Sequence, residues 1–267
     1  MSKYLIVVEG QKTEFELIKQ VTKRILPNYS VSFTQYKGQQ TIKFTNIKEA
    51  NDEIFVIKPK HNRLSQIVED YKKENGDIFA FQMYFDQYVD PDFFEKIFFI
   101  FDVDYTSDVD LSFALEHFND EYSSGFLIIS SPCIEAMTDT KKTYCIETEK
   151  HISDEYKPKI HLDALKRFDQ YVNLGYNALM CGEAFGLLNK CLIDNLSLFD
   201  NDQQFMNHQA YFKNSFLPFI ESDFRHYPLV TSFIYVLIGS ILNLDVEENP
   251  SASLSLLLEK LHAARQS

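Results

Sequence analysis

The fold is decided by residues 97–104, whose sequence is IFFIFDVD. Five consecutive apolar residues without polar alternation are typical of a strand that is buried on both faces of a sheet. The run is followed by two aspartates, Asp102 and Asp104, with one residue between them. We therefore predict a buried strand over Ile97–Phe101 with acidic side chains at its carboxyl end.

Two more apolar runs of this kind occur in the chain. Tyr4–Val8 is followed by Glu9, and Phe126–Ile129 is followed by a polar segment that contains Glu135. Apolar residues at helical spacing come after the first run and after Asp108, and Ser131 followed by proline predicts the start of another helix. Strands that alternate with helices in this way predict an α/β fold with a parallel sheet flanked by helices.

The remaining elements are weaker in the sequence. Further strands are predicted near Ser30–Tyr36 and Ile54–Ile57, and Asp108 is predicted to cap a helix. One face of that helix is expected to carry Leu111, Ala114, Leu115, Phe118 and Tyr122. A catalytic domain is predicted over residues 1–140. Residues 141–267 are predicted to form a mainly helical partner-binding or regulatory region, which includes a helix over Leu229–Leu244.

Acidic residues follow separate predicted strands. In a parallel sheet the carboxyl ends of the strands meet at one edge, where open α/β sheets place their functional sites. Glu9, Asp102 and Asp104 should therefore lie together. Clustered carboxylates repel one another unless a cation lies between them, and Mg²⁺ takes few protein carboxylates together with water and phosphate oxygens. The sequence predicts Mg²⁺, or Mn²⁺, at this edge.

Composition and charge limit the function classes. The 267 residues carry a net charge of −13, but residues 1–65 carry +5 and the remainder −18. This distribution favours local phosphate binding over general coating of DNA. Residues 229–242 form the longest apolar stretch, which is interrupted and too short to span a membrane. The four cysteines show no pairing or metal spacing. We expect a cytoplasmic protein with reduced thiols and no membrane segment.

The acidic residues also carry a family resemblance. Residues 7–14 (VVEGQKTE), followed far downstream by residues 101–104 (FDVD), resemble the TOPRIM signature. That signature is a Glu-Gly after the first strand and an Asp-x-Asp after a later one. Residues 131–135 (SPCIE) are similar to the Ser-Asn-Pro-Cys-Phe-Glu stretch of RloB-like proteins. These proteins belong with the OLD-type nucleases found in phage-defence and restriction loci, and the resemblance covers about residues 4–140.

The resemblance implies a metal-dependent nuclease of DNA or RNA. Glu9, Asp102 and Asp104 would hold the metal, and Glu135 or Glu14 would be a second-metal ligand or a general base. Lys12 lies in a glycine-containing loop before a helix and is predicted to contact phosphate. The resemblance further implies an effector in anti-phage defence that acts with an ATPase or another defence protein. Because residues 66–267 carry a net negative charge, we expect the protein to be a weak nuclease by itself. We also expect it to self-associate or to bind a partner protein.

Two other functions are compatible with the same residues. The chain could be a non-catalytic TOPRIM-like module that binds a nucleotide or a partner protein. Residues 102–106 (DVDYT) also resemble the Asp-x-Asp-x-Thr motif of haloacid-dehalogenase-like phosphatases, with Asp102 as the nucleophile and Ser130 as the second motif. That family needs a further acidic pair after a downstream strand, which we do not find, and it leaves Glu9 unexplained.

Overall fold

A computed structural model describes part of the chain in detail. The described residues are 2–9, 15, 18–19, 28–48, 52–58, 68–69, 93–102, 108–120, 122, 125–131, 145–147, 226–228 and 230–231. Their bounded elements, in chain order, are β1 (Lys3–Val8), β2 (Tyr29–Tyr36), β3 (Gln39–Asn46), β4 (Glu53–Ile57), β5 (Lys96–Asp102), helix α1 (Asp108–His117), β6 (Asn119–Asp120), β7 (Gly125–Ser131), β8 (Cys145–Glu147), β9 (His226–Pro228) and β10 (Val230–Thr231).

The strands form a mixed sheet. Seven of them follow the order β10-β7-β5-β1-β4-β3-β2, and β6 pairs with β7. A separate antiparallel pair is formed by β8 and β9. The chain divides into two compact units, residues 1–101 with 109–127 and residues 102–108 with 128–267, so that the divisions fall within β5, α1 and β7. This architecture belongs to the α/β class.

The centre of the sheet is parallel, as the apolar runs predict. β1 lies between β4 and β5 and is parallel to both, with Leu5 in register with Phe55 on one side and Ile97 on the other. All seven residues of β5 are buried, and so are five of the six in β1. Burial on both faces explains why these strands are continuous apolar runs rather than alternating ones.

The sheet is not parallel throughout, which corrects the sequence-based prediction. β2 and β3 form a hairpin, and β3 pairs antiparallel with β4. Lys37 and Gly38 join the two strands with φ angles of 47° and 77°. Positive φ at both positions of a two-residue loop is the geometry of a type I′ turn, whose twist matches that of a hairpin. The strand β3 is absent from the sequence-based prediction.

Helix α1 confirms most of the predicted apolar face. Leu111, Ala114 and Leu115 are buried, and Phe118 is buried directly after the helix. The assignment of Tyr122 to this face is wrong, because its side chain is 61% exposed. The reason is that the helix ends at His117 and the chain enters the β6–β7 hairpin, so helical spacing no longer applies.

Gly125 begins β7 under tight steric constraint. Its φ angle is 87°, and a Cβ atom built there would lie 2.0 Å from Cε2 of Phe99 in β5. The Phe99 ring also contacts the Phe118 ring, with centroids 5.0 Å apart. Glycine is required here because both the backbone conformation and the close approach exclude a side chain.

Most of the predicted helical region lies outside the described residues. Where it is described, one prediction is wrong: Val230–Thr231, expected to begin a helix, form β10 and pair antiparallel with Ser130 and Ser131 of β7. The predicted division after residue 140 stays a prediction. Within the described part of the chain, no helix combines the length and apolar character needed to cross a membrane.

Candidate metal centre

Asp102 is the last residue of the most deeply buried strand. β5 extends one residue beyond the predicted Phe101, so Asp102 still has extended backbone. Its side chain is 2% exposed. Removing a carboxylate from water is costly unless it is neutralised, hydrogen-bonded or bound to a cation. An acid at this position therefore requires a favourable local environment, whereas the five preceding apolar residues need only packing.

Glu9 follows the neighbouring strand directly. Its amide nitrogen donates a hydrogen bond to the carbonyl oxygen of Ile100 at 3.2 Å, which extends the β1–β5 ladder one residue beyond Val8. β5 continues two more residues to Asp102. Glu9 and Asp102 therefore stand at the carboxyl ends of two adjacent parallel strands, as the sequence predicts. The Glu9 side chain is half-buried.

Strand alternation distinguishes the two acids. Val8 and Ile100 are in register, so their side chains share a face of the sheet, and Asp102 follows Ile100 on that face. Glu9 would lie on the opposite face if β1 continued. The strand ends at Val8 and the chain bends at Glu9, so the Glu9 side chain is not held by the alternation.

The other predicted site residues lie outside the described part of the chain. They are Lys12, Glu14, Asp104 and Glu135. Among the described residues, no group of three His, Cys, Asp or Glu side chains is arranged to hold a metal ion. Three of the five predicted acids are outside that set, so the metal ligands stay a prediction.

One feature at this edge of the sheet is missing from the sequence-based prediction. Thr41 of β3 is in register with Ile57 of β4, and Ile57 is in register with Val7 of β1. The β2–β3 turn at Lys37–Gly38 therefore projects from the same edge as Glu9. The available signal was a glycine between two short alternating segments, which favours a hairpin.

Comparison of the chain with protein-family models, with curated proteins and with solved structures found no match.

Proposed function

We propose that this chain is a Mg²⁺- or Mn²⁺-dependent nuclease that hydrolyses phosphodiester bonds in DNA or RNA. Glu9, Asp102 and Asp104 would hold the metal. The observation that carries the proposal is the position of Glu9 and the buried Asp102, which follow two adjacent parallel strands. Adjacent strands are about 4.8 Å apart, which is short enough for side chains from both to approach one cation.

The donor set fits a hard divalent cation. Carboxylate oxygens are the protein ligands that Mg²⁺ prefers, and it leaves coordination positions for water and phosphate oxygens. Asp102 is at the end of a rigid strand, so its position is fixed before any ligand binds. Glu9 lies in the bend that follows β1 and would complete the coordination.

The bound ion would supply charge stabilisation on the phosphoryl group and a water molecule of lowered pKa. The chain's own residues would do the rest. Glu135 would accept a proton from the attacking water or complete a second metal site. Lys12 would contact a phosphate oxygen and orient the diester. Each of these groups contributes only when it is held in the reactive geometry.

The biological setting follows from the resemblance and from the charge distribution. We infer an effector of anti-phage defence in the cytoplasm, acting with an ATPase or another defence protein. Residues 66–267 carry a net charge of −18. That charge repels a phosphate backbone away from the basic front end, which supports a need for a partner, or for self-association, in substrate capture.

Small chromogenic substrates separate the candidate reactions. Bis-p-nitrophenyl phosphate reports diester hydrolysis, and p-nitrophenyl phosphate reports monoester hydrolysis through the same product. We expect the full-length protein to cleave the diester and an oligonucleotide with Mg²⁺ or Mn²⁺ and not with a chelator. Asp102→Asn should lower the rate by at least about 100-fold, which is typical of losing a principal source of electrostatic stabilisation.

The matched control is Glu116→Gln, which removes an acid on the exposed side of α1. It should leave the rate unchanged. Monoester cleavage with a phosphorylated Asp102 would instead identify a phosphatase. Metal-independent nucleotide binding without cleavage of any substrate would identify a binding module, and either result would reject the nuclease.

A further inference from the structure

The β2–β3 hairpin, residues 28–48, carries a net positive charge. It contains three lysines and no acidic residue, in a protein whose net charge is −13. Lys43 forms an ion pair with Glu53 of β4. Lys37 is exposed in the turn, and Lys48 is exposed just beyond β3. The hairpin is therefore a locally basic surface on an acidic protein.

The hairpin also presents an aromatic ring to solvent. Ser32–Gln35 are four consecutive exposed residues of β2, and the Phe33 side chain is 63% exposed. A large apolar ring with this exposure has no role in the core. The Lys19 ammonium lies 5.8 Å from the Phe33 ring centroid. An exposed ring with a cation beside it matches the groups that bind single-stranded nucleic acids, where rings stack on bases and cations contact phosphates.

The register places this surface beside the proposed site. β2 runs in the same direction as β1, and one row across the sheet joins the two strands through Thr34, Thr41, Ile57 and Val7. The Lys37 turn lies three residues beyond this row, and Glu9 lies two residues beyond it. Three strand spacings, about 14 Å, separate β2 from β1. A nucleic-acid strand of about four nucleotides spans that distance, at the roughly 3.4 Å per nucleotide found in a duplex.

We propose that the β2–β3 hairpin binds the single-stranded part of the nucleic-acid substrate, with Phe33 stacking on a base and Lys37 contacting a phosphate. The inference rests on the proposed function for its choice of ligand. It adds a substrate-binding surface outside the metal centre and predicts a preference for unpaired strands, because a base that stacks on a side chain cannot remain stacked in a duplex.

A protein strand is the competing occupant. β2 is the last strand of the sheet among the described residues, and it has neither a charge nor a proline along its eight residues. Such an edge can pair with a strand of a second copy. Charge favours nucleic acid: the lysines complement phosphate, whereas two copies joined through this edge would bring two basic hairpins together.

The test measures binding without catalysis. The protein is titrated into fluorescein-labelled 20-mers, and fluorescence anisotropy reports binding. The 20-mers are oligo(dT), oligo(U) and a duplex, and a chelator is present to prevent cleavage. We expect tighter binding of a single strand than of the duplex. Phe33→Ala should weaken single-strand binding about 5- to 100-fold, the range for loss of one stacked base, and Phe33→Tyr should retain it.

Two matched controls locate the effect. Tyr122→Ala removes an aromatic side chain of similar exposure, 61%, that lies over Lys96 at the amino end of β5, and it should bind as the wild type does. Lys37→Gln should reduce the slope of log affinity against log salt by about 0.7, the value for one phosphate contact on a single strand. Lys3→Gln, at the amino end of β1 and outside the hairpin, should not change the slope.

The outcomes separate this inference from the proposed function. Equal affinity of Phe33→Ala and the wild type for single strands would overturn the hairpin surface, even if the protein cleaves diesters. Loss of self-association in Phe33→Ala, measured by sedimentation, with unchanged oligonucleotide affinity would overturn it in favour of strand pairing. Weaker single-strand binding by Phe33→Ala, together with no diester hydrolysis by the wild type, would support the hairpin as a binding surface and reject the nuclease.

Discussion

The parallel centre of the sheet and the β2–β3 hairpin are both built of β-strands but differ in burial. In β5 every residue is buried, whereas four consecutive residues of β2 are exposed. The central strands hold Glu9 and Asp102 at a fixed edge through apolar packing. The hairpin carries Lys37 to the same edge, presents Phe33 to solvent in the middle of β2, and contributes little to the core along β2. Burial and exposure are thus divided between the centre of the sheet and its β2 side.

The largest difference between the two regions should be seen in stability. Phe98→Ala, at a fully buried position of β5, should lower the free energy of unfolding by about 3–5 kcal/mol, because it leaves a cavity among rigid strands. Phe33→Ala should change it by less than about 0.5 kcal/mol, as is usual for exposed positions. Urea denaturation of both variants measures the contrast. Similar losses for the two would show that Phe33 is part of a packed core.

The contrast in burial also explains which elements could be predicted from the sequence. β1, β5 and β7 are predicted to within two residues at each end because their apolar runs are continuous. β3, whose sequence is QQTIKFTN, has only two apolar residues, and its position depends on pairing with β2 and β4. β10 is two residues long and pairs with β7 among the described residues. Such a short strand has no pattern of its own, so the apolar sequence of residues 229–244 predicted a helix instead.

The candidate site was predictable in part. The carboxyl-edge rule gives the positions of Glu9 and Asp102, because it depends only on strand direction and order. The rule does not give the faces of the sheet on which the side chains lie, because these depend on the strand register and on where β1 ends. Nor does it give the hairpin turn, since the antiparallel pairing of β3 with β4 depends on long-range contacts.

Gly38 in the hairpin turn and Gly125 in β7 both have positive φ angles, but only Gly125 lies against a packed side chain. Gly125→Ala should lower the free energy of unfolding by about 2–4 kcal/mol, because the new Cβ meets the Phe99 ring and the φ angle is positive. Gly38→Ala has the same backbone penalty but open space around the Cβ, so about 1 kcal/mol is expected. Thermal or urea unfolding measures both variants. A larger loss at Gly38 would contradict the packing at Gly125.

A smaller effect is expected at alkaline pH. Burial raises the pKa of the Tyr4 phenol in β1, although a hydrogen bond with Ser2 opposes the shift. In the unfolded chain the phenol ionises near pH 10. The unfolded state then releases its proton before the folded state does. The contribution of Tyr4 to the free energy of unfolding should therefore be constant below about pH 10 and fall above it. Urea midpoints between pH 8 and 11 should fall more in the wild type than in Tyr4→Phe. Identical pH profiles would contradict the burial effect.

The most direct test of the central claim is the effect of Mg²⁺ on the stability of the wild type, Asp102→Asn and Glu116→Gln. A ligand that binds only the folded state stabilises it by about 2.7 kcal/mol at 100 times its Kd. We expect Mg²⁺ to raise the Tm of the wild type and of Glu116→Gln, and to leave the Tm of a folded Asp102→Asn nearly unchanged. An equal rise in all three proteins, or no rise in the wild type at about 10 mM Mg²⁺ or Mn²⁺, which is 100 times a Kd of about 0.1 mM, would contradict a metal centre at Asp102.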